Sequence, residues 1–241
     1  MTLFIVGTGP GDPELLTLKA ARLIGAADVV AFFAKRGRIG HARRIAGAHI
    51  REQAEQIRFE YPYTTEIPVD DARYEPALTQ FYVEAAAVLA LHLEAARDVV
   101  LLCEGDPFFY GSAMYLFDRL APRFATEVVP GVTAMSGCWA QAMLPMTHGD
   151  DVLTVLPGTL PTDELTRRLM QSDAAVIMKV GTNLPRIRAA LKASGRTARA
   201  TLVERGTMAD ARITALNDAA KAGDAAPYFS LVLVPGRQRP R

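Results

Sequence analysis

Cysteine is scarce. The 241-residue chain has two, Cys103 and Cys138, isolated from each other and without a CxxC pair. That excludes a disulfide framework. No leader of charged, apolar and small residues opens the sequence either, so a reduced compartment, the cytoplasm, is expected. An excess of one charge is also missing: 27 basic residues against 26 acidic ones leave a formal charge of +1. This argues against a general nucleic-acid surface. No apolar run approaches membrane-spanning length, so no membrane association is expected. Internal repeats of 20 to 50 residues and low-complexity segments are absent as well. What the chain does have is apolar material, 50% of its residues, and a length beyond the usual single domain. Two packed α/β domains are expected, over residues 1–130 and 131–241.

The chain is organised around Leu101 to Leu116, LLCEGDPFFYGSAMYL. An apolar run over Asp98 to Cys103 meets a Gly-Asp-Pro turn, and Ser112 then opens a stretch with helical composition. This is the strand, loop and helix arrangement in which α/β proteins place ligands at strand carboxyl ends. Gly105 is read as letting a ligand approach the backbone, and Pro107 biases Asp106 toward an extended conformation. Asp106 is therefore expected as a carboxylate at a crevice. Gly111 and Ser112 offer a tight turn and an N-cap.

The opening of the chain looks at first like a dinucleotide-binding unit: strand Leu3 to Val6, the loop GTGPGD over Gly7 to Asp12, then a helix marked by Leu15, Leu16, Leu18, Leu23 and Ile24. It fails that test. Asp12 stands where GxGxxG needs glycine, Pro10 removes an N–H from a phosphate cradle, and Asp28 precedes the second strand instead of ending it. No GK[ST] follows, so a P-loop is excluded too. GTGPGD reads as a turn for close approach of a neutral or cationic ligand.

KRGRIGHARR, Lys35 to Arg44, concentrates Lys35, Arg36, Arg38, Arg43 and Arg44 around two glycines. Such a cluster is either a solvated face or an anion site. Glu60 to Pro68 reads as an irregular loop, and Tyr74 to Ala96 as a helix. A strand at Thr126 to Val129 precedes the Pro130-Gly131 break, and the small-residue helix Thr133 to Gln141 carries the one tryptophan, Trp139, with core packing as its default role. Strands are expected at Val152 to Leu156, Ala174 to Lys179, Ala200 to Glu204, Ala211 to Thr214 and Phe229 to Val234, with helices at Thr162 to Gln171 and Leu184 to Ser194. Small-residue loops follow three of these strands, at Pro157, Val180 and Glu204.

GTGPGD, EGDPFFYG, PGVTAMSGC, the MTHGD around His148, VGTNL and VERGT, in that order, closely resemble the tetrapyrrole methylase family, which methylates macrocycles with S-adenosylmethionine. FFAKRGRIGHAR from Phe32 and EYPYTTEIP from Glu60 look like the branch that acts on precorrin-2 at C-20. The resemblance implies two α/β domains with a trough between them, and a homodimer. Its motifs carry cofactor contacts to Pro10, Glu104, Gly105, Asp106, Phe109, Thr133, Ala134, Val180 and Gly206. The polycarboxylate tetrapyrrole would lie near Gly9, Gly11 and Asp12, with Arg36, Arg38, Arg43 and Arg44 available to its carboxylates. Uroporphyrinogen methylases of the family carry an aspartate where Phe33 stands here, so that acid-base role does not transfer. Methyl transfer from a sulfonium to an electron-rich ring carbon requires alignment and water exclusion, with no metal and no protein nucleophile. A base that takes the ring proton would be Asp106, Tyr110, His148 or bound water. Two readings from other classes stand beside this one: a nicotinamide-dependent oxidoreductase, disfavoured by the broken fingerprint, and a non-catalytic tetrapyrrole carrier, for which EGDPFFYG would have no purpose.

Overall fold

The computed structural model describes residues 1–64, 71–217 and 225–236; residues 65–68 of the expected Glu60 to Pro68 loop, and the basic tail over 237–241, lie outside that range. The chain forms two compact units, Met1–Thr133 and Ala134–Arg241, so Pro130 and Gly131 belong to the first.

Five parallel strands make the first sheet: β1 (Leu3–Gly7), β2 (Val29–Ala34), β3 (Glu55–Glu60), β4 (Val99–Cys103) and β5 (Thr126–Val129). Their spatial order is β3-β2-β4-β1-β5. β2 and β4 are buried at every residue, as continuous apolar strands of a doubly covered sheet should be. Alternation then sorts their side chains. Ala31, Phe33, Leu101 and Cys103 face the layer of α3 (Tyr74–Glu94) and α4 (Met114–Leu120), while Val30, Phe32, Val100 and Leu102 face α1 (Leu18–Ala26) and α2 (His41–Ala46). After β1 the chain passes β4 to reach β2, and after β4 it passes β1 to reach β5. The two connections leave in opposite directions, which parts their loops at the carboxyl ends of β1 and β4.

Four expectations change here. β3 is a strand that the sequence reading leaves out, and Glu60 closes it instead of opening a loop; it is an edge strand with only Ile57 and Phe59 turned toward the core. The last four residues of the basic segment, His41 to Arg44, are helical, as the start of α2. α4 begins at Met114 without a side-chain cap, so Ser112 is not its N-cap; Ser112 shares a hydrogen bond with the buried Tyr82 hydroxyl instead. Finally, the 21-residue α3 is by length and composition apolar enough to cross a membrane. Its alanines hide this from a search for bulky apolar runs. Tyr82, Ala85, Ala86, Leu89, Ala90 and Leu93 pack into the core of the first unit.

The second sheet is mixed: β6 (Leu153–Pro157), β7 (Ala174–Met178), β8 (Thr201–Glu204), β9 (Arg212–Ala215) and β10 (Ser230–Val234), in the order β6-β7-β10-β8-β9. β10 runs antiparallel to both its neighbours, which leaves β6, β7 and β8 pointing the same way. α6 (Thr162–Gln171) and α7 (Leu184–Ala193) cover the face of Ile177, Leu202 and Val232. The other face, with Val176, Val203 and Leu233, takes Cys138 and Trp139 of α5 (Ala134–Gln141).

Candidate functional site

The parted loops after β1 and β4 are held together by their own backbones. Gly9 and Gly105 exchange N–H to O=C bonds of 2.8 and 3.3 Å, and both adopt positive φ, +77° and +64°. The Gly105 carbonyl is packed so tightly that a Cβ on Gly131 would stand 2.1 Å from it, and one on Gly7 2.7 Å. GTGPGD, EGDPFFYG and PGVT are thus stacked backbone on backbone. Gly105 therefore admits a close approach of the chain's own backbone. Pro10 is buried beside this stack. Asp12 caps a 3-10 turn, Pro13–Leu15, by accepting from Glu14 N at 2.9 Å. The helix proper starts later than the leucine pattern implies, at Leu18, with Thr17 as N-cap.

Asp106 has both carboxylate oxygens engaged: Oδ1 accepts from Phe108 N at 2.9 Å and Oδ2 from Gly131 N at 3.1 Å. The first closes the Asp-Pro turn and the second ties it to the loop after β5, so this carboxylate is a cross-brace within the loop layer. Glu104 Oε1 accepts from Ala42 N in the first turn of α2, at 3.3 Å. Burial pushes the Glu104 carboxyl above the ordinary carboxylate range, and the main-chain N–H groups of Glu104 and Ala42 pull it partly back. Phe109 is half-buried and meets the exposed Tyr110 edge to face at 5.1 Å. Tyr110 holds a left-handed φ of +58°. Beneath this loop lies Cys103, close enough that a Cβ on Gly111 would fall 2.8 Å from its sulfur; burial pushes its thiol up to about 12.

The basic segment also reaches the carboxyl edge of this sheet. Lys35 to Ile39 are exposed and α2 follows. Gly37 N donates to Glu60 Oε1 at 3.2 Å, and Arg43 Nε to Gln56 Oε1 at 2.7 Å, both on β3. Gly40 lies against β2, where a Cβ would be 2.2 Å from the Phe33 carbonyl. Arg36, Arg38 and Arg44 are exposed and form no ion pair among the described residues. Phe33 itself is 5% exposed, ringed by Phe59, Tyr61, Phe81 and Tyr82 at centroid distances of 5.4 to 6.1 Å. At this position the chain has an aromatic core.

In the second unit the loops after β6, β7 and β8 open from one edge of the sheet. Val180 is fully buried, and Lys179 before it has φ +53°. Gly206 sits between Arg205 (φ +49°) and Thr207 (φ +66°), directly over Cys138: a Cβ here would be 2.3 Å from that sulfur. The Cys138 thiol is pushed up to about 12 by burial. Thr207 N donates to Gln141 Oε1 of α5, fastening the loop to that helix. Thr133 and Ala134, at the end of one unit and the start of the next, are both partly exposed. His148 is exposed in a turn closed by Asp151, whose carboxylate accepts from His148 N at 3.0 Å. A depression of about 410 Å³ bordered by Met170, Asp173, Arg196 and Arg199 opens at the amino end of β7, away from these loops. Among the described residues no cluster of His, Cys, Asp and Glu is suited to a metal.

Two of these braces escape sequence reading, Glu104 to Ala42 and Asp106 to Gly131. Each joins residues far apart in the chain, although PG after an apolar strand does signal that a glycine is required near Gly131. Among the described residues, four of the six non-glycine residues with positive φ, namely Tyr110, Lys179, Arg205 and Thr207, fall on the motif loops. Strain of this kind clusters at functional sites.

Comparison with known proteins follows the same loops. Residues 2–220 match the model of the Tetrapyrrole (Corrin/Porphyrin) Methylases. A precorrin-2 C(20)-methyltransferase of Sinorhizobium sp. is 58% identical over 98% of this chain and 96% of its own. A cobalt-precorrin-2 C(20)-methyltransferase of Salmonella typhimurium is 30% identical over 96% of this chain and 95% of its own. The solved uroporphyrin-III C-methyl transferase of Thermus thermophilus, complexed with S-adenyl homocysteine, superposes with a TM-score of 0.68 at 25% identity, covering 98% of this chain and 92% of that one. With its two α/β units, its motif loops and these relatives along nearly its whole length, the chain belongs to the tetrapyrrole methylase family, S-adenosylmethionine-dependent methyltransferases.

Proposed function

We propose that the protein methylates precorrin-2 at C-20 in cobalamin biosynthesis. The observation that carries this reading is the 58% identity, end to end, with an enzyme of that name. The lower identity of the cobalt-precorrin-2 relative favours the metal-free macrocycle over the cobalt-loaded one.

The residues at the carboxyl edge fit the methyl donor. They present carboxylates and main-chain oxygens, and Pro10 removes an N–H that a phosphate cradle would use, which suits a molecule bearing a sulfonium and an ammonium. When bound, S-adenosylmethionine supplies an electrophilic methyl group. The chain's own task is to hold donor and ring in line and exclude water. Pro10, Gly105, Asp106, Phe109 and the main chain of Glu104 serve the donor from the first unit, with Thr133 at its end. Gly9, Gly11 and Asp12 border the macrocycle, and Arg36, Arg38, Arg43 and Arg44 meet its carboxylates. The unpaired state of three of these guanidinium groups among the described residues supports that role, since an arginine already neutralised by a neighbouring carboxylate attracts an anion less. Asp106 already accepts two main-chain N–H bonds, so the exposed Tyr110 and His148 are the better candidates to receive the ring proton. We further propose a homodimer, checked by light scattering against the 26.1 kDa chain mass, and a cytoplasmic location, which suits two free buried thiols.

The test is the product. Mass spectrometry and NMR after incubation with precorrin-2 and methyl-labelled donor should show one new methyl at C-20; label at another ring carbon would reassign the protein to a sibling activity. Replacing Arg36, Arg38, Arg43 and Arg44 together by glutamine should raise the KM for precorrin-2 and flatten its salt dependence, with donor affinity nearly constant. Unaltered kinetics at low salt would make the cluster a solvated face.

A further inference from the structure

Glu104 belongs to the EGDPFFYG loop by sequence, yet its side chain leaves that loop for α2. Its carboxylate accepts the Ala42 N–H, 62 residues away in the chain. The N-cap of α2 is Gly40, which has no side chain to satisfy that N–H, and Gly40 is itself pressed against the Phe33 carbonyl. Two further side-chain ties on the basic segment, Gly37 to Glu60 and Arg43 to Gln56, run to the edge strand β3. The Glu104 bond reaches from this segment to the loop after β4. Arg43 and Arg44 follow Ala42 directly, on a helix of only six residues, so fixing Ala42 fixes where their backbones stand.

We infer that Glu104 is a positioning residue that acts on the substrate side: its carboxylate holds the start of α2, and with it Arg43 and Arg44, at a set place relative to EGDPFFYG. This rests on the functional reading above. The carboxylate is half-withdrawn from water and accepts a neutral N–H, so an acceptor oxygen is what the position requires and a negative charge is not.

Three variants test this, with KM and kcat for precorrin-2 at saturating donor and calorimetric titration with S-adenosylhomocysteine as the readouts. Glu104→Ala should raise the KM for precorrin-2 about tenfold while kcat and the S-adenosylhomocysteine Kd stay within about twofold. Glu104→Gln, whose carboxamide oxygen still accepts, should match the wild type in all three. Ala42→Pro removes the donor from the other side of the bond and should reproduce Glu104→Ala; if Glu104→Ala does not fold, Ala42→Pro and Glu104→Gln decide the matter. A weakened S-adenosylhomocysteine affinity with unchanged KM overturns the inference, as does a Glu104→Gln variant as impaired as Glu104→Ala. If the wild-type protein turns over no precorrin-2, the functional reading falls and the inference with it; if the wild type is active and neither Glu104→Ala nor Ala42→Pro moves KM, the inference alone falls.

Discussion

The two units solve one packing problem on different sheets. In the first, five parallel strands send every carboxyl end to one edge, and neighbouring loops stack glycine backbone on glycine backbone at Gly7, Gly105 and Gly131. In the second, the antiparallel β10 and β9 interrupt that convergence, and the ERGT loop is seated by placing Gly206 on the sulfur of Cys138. A backbone cannot move aside and a side chain can. The first unit is therefore the less forgiving of the two, although the glycines of both look alike in sequence.

The largest effect should come from testing that contrast directly. Gly131→Ala forces a Cβ to within 2.1 Å of a carbonyl oxygen fixed in the loop stack, and a loss of about 3 kcal/mol or more is expected in urea unfolding, with no single compensating change. Gly206→Ala should cost about 1 to 3 kcal/mol and recover part of it when Cys138 is also changed to alanine. Equal recovery in both units would erase the distinction. Next in size is Asp106→Ala, which removes two main-chain contacts and should lower stability by about 2 kcal/mol besides weakening donor binding. A stable variant with weakened binding would assign the carboxylate to the ligand alone.

The last effect separates the units least. Both thiols are held neutral, their pKa raised to about 12 from an ordinary 9.0. A raised value means the folded state keeps its proton when the unfolded state has lost it. Stability from this source is complete below about pH 9 and declines as the pH climbs from 9 toward 12. Unfolding midpoints between pH 8 and 10.5 should fall more steeply for the wild type than for a Cys103→Ala, Cys138→Ala double variant. Parallel lines would show that the sulfurs reach water.

Much of this was legible beforehand. Strands with unbroken apolar runs, such as β2, β4 and β7, declare themselves because both their faces are buried. β3 did not, because EQIRFE turns only two apolar residues inward and covers an edge with charge. α2 went unread within the charged cluster because six residues, two of them arginine, give too little periodicity. The motifs pointed to the carboxyl edges, and glycine and aspartate there were read as facing a ligand. Gly105 and Asp106 also brace other loops, a second role that depends on which strands become neighbours and that no local pattern contains.

The left-handed residues Tyr110, Lys179, Arg205 and Thr207 bear on how this protein can be engineered. A side chain forced into that region costs on the order of 1 kcal/mol, and glycine does not incur it. A selection for heat resistance alone should therefore drift toward glycine at these four positions. A selection for turnover should reject the same changes, because each would free a loop that the functional reading needs held still.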